Sequence, residues 1–415
     1  MPHDAESHWH EPSNTNTRAG AGSFTRPPRA YDRFMEEQDI PIVREIGVSK
    51  VQNLPLKPWK RMGGNGTFIQ LFGTEGLWGS YVVEVPGSSA LNVERHLYEE
   101  QFLVIEGRGT AEIWLEGGKK HIFEWQWGSM FAIPINAFHR LVNASSAPAL
   151  LLAGTTAPNA INLYANSDFI FNNNYVFTDR FDDDKNFFKP NDAITPEPVM
   201  GRAMRRTNFI PDIINCDLPL DNRRSPGYRR VEPYMARQQF YSFIGQHETG
   251  RYSKAHAHIS AAVLICLTGK GYTYTWPSSL GTRPFSDGNG DKVFRVDYEP
   301  VGMVSAAPMS GDWFHQHFGV SKEPLRLTAW CGPNTSFGGH SVWGGRPGVV
   351  QRDTSSNDIR DGGKAIPYDE EDPLIRKEYE EALRNVGAES RMEDWLYTKP
   401  KEGEKRPSTD FMGGM

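Results

Sequence analysis

Short runs of β-branched and aromatic residues closed by glycine fill most of this chain, and they occur twice in the same order. From Gly66 the first block reads "GTFIQLFG", "GSYVVEVPG", "EQFLVIEGRG", "TAEIWLEGGKKHIFEW", "SMFAIPINAFHRLVN" and "PALLLAGTTAP". Such residues fit a pleated, half-buried surface, and glycine supplies the turns between strands. The second block, Met235 to Pro333, reads "QQFYSFIGQHETG", "HAHISAAVLICLTGKGYTYTW", "GMVSAAP", "WFHQHFGV" and "LRLTAWCGP". Gly107-Arg108-Gly109 follows an apolar run in the first block and Gly269-Lys270-Gly271 follows one in the second; each leads into a strand bearing tryptophan, Trp114 or Trp276. A repeated unit implies one small fold made twice. Closely spaced strands with no helical pattern between them predict an all-β sandwich or barrel. "LEGGKKH" reads as a hairpin turn, and "SSLGTRPFSDGNGDKVF" as a loop inserted in the second block alone.

Around these blocks the texture changes. Residues 1–30 form a polar arm without the apolar core of a secretory signal. The first strand-rich unit spans 31–157 and the second 235–345. Residues 158–234 are rich in Asn, Asp and Phe, too aromatic for a free linker, and are expected to pack as an ordered connector. In the tail, 346–415, Asp372 caps a helix, Pro373 fits its first turn, Ile375, Tyr379, Leu383 and Val386 share a face, and Gly387 ends it. At 415 residues there is length for two cores. A net charge of -6 argues against nucleic acid as a partner. No apolar run approaches the ~20 residues of a membrane span. Three scattered cysteines, Cys216, Cys266 and Cys331, give neither a disulfide framework nor a zinc-finger spacing, and fit reduced thiols in a cytoplasmic protein.

The chemistry lies in the histidines. In the second block Gly250 is followed by five residues and His256-Ala257-His258; farther on Gly302, Pro308 and Gly311 precede His315-Gln316-His317. On a strand, residues two apart share a face, so each pair can turn both imidazoles inward. Two such strands can converge on one ion. In the first block Glu94, His96 and Glu100 precede Gly107, and Gly128, Pro134, His139 and Asn143 follow. Two carboxylates and two imidazoles can also hold a divalent ion.

These spacings resemble the two motifs of the cupin superfamily: Gly, five residues, His-x-His, a Glu three or four residues on, then six residues and Gly; and Gly, five residues, Pro-x-Gly, two residues, His, three residues, Asn. The resemblance covers roughly 66–154 and 241–332. It implies two double-stranded β-helix (jelly-roll) barrels, a bicupin, followed by the C-terminal helix. Each block departs from the motif. In the first, Glu94 stands at the first His position and Asn136 at a Gly position. In the second, Ala262 stands at the Glu position, Gly319 at the Asn position, and three residues separate Gly311 from His315, leaving His315 or His317 as third ligand.

Gentisate- and salicylate-type ring-cleaving dioxygenases, which are bicupins with three-histidine iron, are the functional analogues of this resemblance. It implies metal ligation by His256, His258 and His315, with His317 orienting substrate or moving a proton, and a secondary site at Glu94, His96, Glu100 and His139. Three neutral imidazoles leave a divalent ion its full charge and open positions for a chelating substrate. The expectation is an Fe(II) dioxygenase, with Ni, Mn or Zn as other ions, cleaving a C–C bond of a small aromatic or enolisable oxygenated substrate with O2. The alternatives are a redox-neutral metal-dependent isomerase, lyase or decarboxylase, and a non-catalytic small-molecule-binding bicupin. A homo-oligomer is expected.

Overall fold

A computed structural model describes residues 28–196, 202–222, 224–258, 262–309, 312–331 and 357–401; of residue 258 it describes the backbone alone. In the first half the strands are β1 (Ile42–Val43), β2 (Gly47–Val48), β3 (Lys57–Trp59), β4 (Gly64–Ile69), β5 (Gly79–Val85), β6 (Ser89–Ala90), β7 (Glu100–Glu106), β8 (Arg108–Trp114), β9 (His121–Gln126), β10 (Met130–Ile133), β11 (Phe138–Asn143) and β12 (Ala149–Thr155). The second half has β13 (Ile194–Pro196), β14 (Ala203–Arg206), β15 (Phe209–Ile210), β16 (Arg229–Tyr234), β17 (Tyr241–His247), β18 (His256–His258), β19 (Ala262–Thr268), β20 (Gly271–Pro277), β21 (Phe294–Tyr298), β22 (Met303–Ser305), β23 (Trp313–Gly319) and β24 (Leu325–Cys331). Helix α1 (Ala30–Glu37) precedes the first half, α2 (Ala157–Tyr164) and α3 (Ser167–Phe171) follow it, and α4 (Pro373–Asn385) lies in the tail.

Each half is a barrel of two sheets. The first pairs β1-β4-β5-β12-β7-β10-β15, with β3 beside β4, against β6-β11-β8-β9; the second pairs β13-β14-β16-β17-β24-β19-β22-β2 against β18-β23-β20-β21. Strands β5 to β12 therefore recur, one for one, as β17 to β24. The two-barrel, all-β fold with a C-terminal helix that the sequence predicts is the fold observed. The repeat reaches further upstream than the strand-rich blocks. β1 lies parallel on β4, and β14 lies parallel on β16. β2, from the first half, pairs with β22 of the second barrel, while β15, from the second half, pairs with β10 of the first. The halves thus exchange an edge strand reciprocally.

Burial explains the two textures of the strands. On β11 it alternates, with His139, Leu141 and Asn143 buried and their neighbours part-exposed, as expected where one face meets solvent. β12 is buried throughout because both of its faces are covered. Leu151 points into the first barrel beside Val83, Val104 and Phe131. Leu150 and Leu152 point outward into a core shared by both barrels, where Ile69, Val82 and Leu103 meet Ile244, Val263, Ile265 and Trp330. Gly107 and Gly269 (φ 83° and 78°) take the chain from one sheet to the other. Glycine is required there because L side chains disfavour positive φ, and a bulge accompanies each.

Helix α4 forms as its sequence predicts. The Asp372 side chain accepts from Leu374 N, and Ile375, Tyr379 and Leu383 are buried. Val386, expected on that face, is exposed because the helix has ended at Asn385. The apolar stripe covers the outer face of β18-β23-β20, packing on Tyr252, Tyr272, Trp276, Phe314 and Phe318. The connector is ordered where described: Phe181 and Phe188 belong to the first-barrel core.

Candidate metal centres

In the first barrel Glu100 opens β7 and His139 lies on β11. The intervening segment is tied to β11 by two backbone hydrogen bonds between Glu94 and His139, both 2.9 Å, and by Asn136 N to His96 O at 3.0 Å. Asn136, at the motif's Gly position, has φ 57°, a left-handed conformation that Asn tolerates. These ties hold His96 Nε2 3.2 Å and His139 Nε2 3.6 Å from the same oxygen, Glu100 Oε2. One ligand atom from each of the three residues lies within 4.8 Å of the others. All three are buried.

Tautomers decide what this cluster wants. His96 Nδ1 lies 3.0 Å from Tyr98 O and His139 Nδ1 3.2 Å from Ala137 O. A carbonyl only accepts, so each Nδ1 carries the proton and each Nε2 turns a lone pair toward Glu100. Burial pushes His96 below the usual imidazole range, so it is neutral. Burial raises the Glu100 carboxyl, and charge and hydrogen bonding at His96 and His139 outweigh it and hold the group below the usual range; with both Nδ1 protons given to carbonyls, that lowering calls for a positive charge between the Nε2 atoms and Oε2, a proton or a cation. The result is an ionised carboxylate and two imidazole lone pairs converging on one point. A divalent cation fits that donor set.

Glu94, the fourth residue expected here, points elsewhere: its carboxylate pairs with Arg61. Arg61 in turn lies over the Phe171 ring at 4.3 Å. Tyr81 donates to Glu100 Oε1 at 2.7 Å, and the Tyr98 ring stacks on His96 at 3.6 Å. Arg61 and Tyr81 lie outside the motif and Tyr98 at one of its unspecified positions, so no spacing announces them.

In the second barrel His256 and His315 are direct cross-strand partners, with ring centroids 4.1 Å apart. His317 shares their strand face, 5.5 Å from the His315 ring, and its Nδ1 lies 2.8 Å from Thr273 Oγ1. The His258 side chain and Gly311 lie outside the described residues. Register relates the barrels position by position. His139 stands opposite Ile113 and beside Phe138, whose ring packs on Trp114 at 5.6 Å; His315 stands opposite Thr275 and beside Phe314, whose ring packs on Trp276 at 5.6 Å. His315 is therefore the counterpart of His139, and His317 that of Leu141. Glu94 bridges to His139 as His256 pairs with His315. Glu100 and Ala262 each open the equivalent strand, opposite Thr155 and Cys331.

A cavity of about 30 Å³ borders these histidines, lined by His256, His315, His317, His247, Arg224 and Ala262, among others. His247, which lies outside both motifs, is buried; burial first, and then Arg224, lower it to about 3. Its alternation with Phe243 and Gly245 was the available signal for an inward side chain. Also outside the motifs, His121 lies 2.7 Å from Asp183 Oδ1, and His340 is not among the described residues.

Two cupin-type barrels with motif histidines turned inward define a bicupin arrangement. Neither a protein-family model nor a curated protein matches this chain. Among solved structures it is similar to oxalate decarboxylase of Bacillus subtilis. One structure, on substrate binding and reaction specificity, matches at 13% identity and TM-score 0.43. Another, on the enzyme's Mn(II) centres, matches at 14% and 0.43. Each match covers 74% of this chain and 84% of that one. Likeness at that level carries nothing further for this chain. No helix among the described residues is long and apolar enough to cross a membrane.

Proposed function

We propose that this chain is a metal-dependent bicupin enzyme that holds a divalent ion on His96, Glu100 and His139 and acts on a small, oxygen-rich anionic substrate without net redox change, as a lyase, decarboxylase or isomerase. The observation that carries the reading is the convergence of two Nε2 lone pairs and one carboxylate oxygen in a buried site. The groups around it favour the substrate class. The Arg61 guanidinium and the Tyr81 and Tyr98 hydroxyls, which lie close enough to Glu94 and Glu100 to feel their charge, suit oxygen atoms better than the flat apolar slot a ring would need. Bound there, the ion would supply Lewis acidity. Tyr81 fixes the Glu100 carboxylate, the two backbone carbonyls fix the imidazole tautomers, and the Arg61–Glu94 pair stands at the edge.

A second reading is O2-dependent C–C cleavage with Fe(II). Two histidines and one carboxylate with open positions form the donor set that non-haem iron oxygenases use. In this reading the second-barrel set His256, His258 and His315, with His317 beside it, is a further candidate centre. The test is elemental analysis of protein purified without added metal, followed by turnover of small hydroxy- and keto-acids in an oxygen electrode. Bound metal with turnover and no oxygen uptake supports the first reading. Stoichiometric oxygen uptake supports the second. Protein without metal that takes none up would sink both.

A further inference from the structure

The strand that opens with Glu100 meets the other half of the chain on its far side. Side chains along a strand alternate in direction: Glu100 turns to the metal site, while Glu99 and Gln101 turn away from it. Both are buried, and both end on the turn that leads into β17. The Glu99 carboxylate accepts from the backbone N–H of Gln239 (2.9 and 2.8 Å) and of Phe240 (2.8 Å), and it pairs with Arg180. Gln101 Nε2 donates to Gln238 Oε1 at 3.1 Å. The nitrogen of the Gln238 amide reaches back. It donates to Glu100 O at 3.0 Å and to Ile133 O at 2.8 Å. Glu100 and Ile133 are cross-strand partners and form the last rung between β7 and β10. One side chain from the second half thus closes the end of the ladder that carries the carboxylate.

That turn is strained. Ala236 and Arg237 have φ 48° and 52°, a left-handed pair in which residues other than Gly, Asn and Asp are disfavoured. Such strain persists where the surroundings over-determine it, and it collects at functional sites. Here Gln238 N donates to Met235 O at 2.9 Å, Ala236 N to Asn208 Oδ1 at 2.5 Å, and the Arg237 guanidinium to Asp179 O. Among the described residues the second barrel lacks the same amide pair. Gln101 corresponds by register to Val263, and the loop before β5, Leu71 to Trp78, contains no amide side chain. The clamp serves the barrel whose carboxylate is intact.

We infer that Gln238, from the second half of the chain, is a positioning residue of the first-barrel metal site: through the backbone of Glu100 it fixes where the carboxylate stands against the two imidazoles. The inference rests on the reading of His96, Glu100 and His139 as the metal-binding set. On its β12 side Glu100 is backed by two hydrogen bonds between Glu99 and Thr156, both 2.9 Å. On its β10 side the ladder stops, and the Gln238 amide holds the strand end there. A site of this kind needs its groups within about 0.5 Å of their working positions, so a strand end free to shift would loosen the ligand set without removing a ligand. Gln238 itself touches no ligand side chain.

The experiment uses the full-length protein, stripped of metal by a chelator and then titrated with Co(II) alone. The metal-free sample is read by the imidazole nitrogen resonances of His96 and His139. The loaded sample is read by Co(II) absorption, counting only the signal that His96→Ala removes. Gln238→Met keeps the length of the side chain and removes its donors. It should shift both sets of resonances and weaken Co(II) by about tenfold or more, the lower end of what a supporting group contributes to a metal site. Phe240→Leu is the control. It loosens the packing beside the same turn, on Trp78 and Trp330, and should lower the unfolding temperature while leaving resonances and Co(II) affinity as in wild type. Resonances and affinity unchanged in Gln238→Met, or altered as much in Phe240→Leu, would overturn the proposal. If Gln238→Met does not fold, Gln101→Met, which frees the Gln238 amide to turn, takes its place under the same criteria. Wild-type protein with no His96-dependent Co(II) signal would refute the proposed function, and the imidazole resonances of the metal-free variants would then decide this inference by themselves.

Discussion

The two barrels share a frame and differ in what they enclose. Strand for strand the pairing is the same, down to the bulges beside Gly107 and Gly269 and the Trp–Phe pair on the small sheet. Inside, the first barrel holds a carboxylate against two imidazoles and surrounds them with tyrosine and phenylalanine. The second has no carboxylate at that position. Its small sheet turns polar instead: Ala111 and Leu141 of the first barrel correspond to Thr273 and His317, and the threonine hydroxyl takes up the new imidazole. Substitutions in these interiors come as pairs because a buried polar group without a partner is costly. A duplicated barrel can therefore change its chemistry two residues at a time while its hydrogen-bond ladder stays fixed.

The largest expected effect tests whether the first barrel is the better metal centre. His96→Ala and Glu100→Gln each remove one of three ligands and should lower bound metal in the first barrel to near zero, read by elemental analysis alongside circular dichroism. Glu94→Gln should leave metal in place, since Glu94 faces Arg61. Metal retained in both ligand variants would move the centre elsewhere.

The next comparison is inside the second barrel. Register makes His315 the counterpart of His139, so His315→Ala should abolish whatever metal the second barrel holds. His317→Ala should keep that metal and weaken its affinity no more than roughly 10–100-fold, as loss of a supporting imidazole does. The reverse pattern would mean that the stretched loop before β23 sets the ligand rather than the register.

A third difference is the C-terminal segment, whose described residues pack on the second barrel. Behind the histidine strand, the buried Glu371 carboxylate accepts from Gln316 Nε2 at 2.5 Å and from Tyr252 Oη at 2.6 Å. Burial raises its carboxyl to about 7. An acid raised in the folded state binds more protons than the unfolded chain between its two pKa values. Stability should therefore fall as pH rises from about 4.5 to about 7 and then level off, by at most about 3 kcal/mol. Thermal unfolding against pH should show this slope, and Glu371→Gln should flatten it. Hydrogen exchange should place the loosening at the tail and β23. An unchanged slope in the variant would assign the effect to other groups.

The smallest effect concerns the cap of α4. Asp372→Ala removes the acceptor of Leu374 N and of both Ser286 donors. It should cost about 1–2 kcal/mol, measured by denaturant unfolding, and leave first-barrel metal untouched.

Much of this was legible in the sequence because strands this short and this sharply bounded by glycine leave few other readings. The capped helix, the duplication and the correspondence of Ala262 with the motif's glutamate were legible for the same local reasons. Three things were not. β2 and β15 are two residues long, too short for any periodicity to show, so the exchange of strands is invisible until partners are known. Arg61 takes Glu94 away from the ligand set, and nothing in the spacing of the two announces it. The cavity has no motif at all, because it is the sum of small differences at positions that only register makes equivalent.

The exchanged strands bear on what counts as a part of this protein. β2 is donated forward and β15 backward, so each barrel's large sheet borrows an edge from the other half of the chain. A cut in the connector at 197–201 would leave β15 on the wrong side of it: the first barrel would keep its ligands and expose the bare edge of β10, and the second would lose the strand that covers β22. Bare edges invite pairing with other chains. Either half expressed alone should aggregate or dimerise, and the two halves mixed should recombine. The unit that was duplicated is one barrel, but the unit that folds is two.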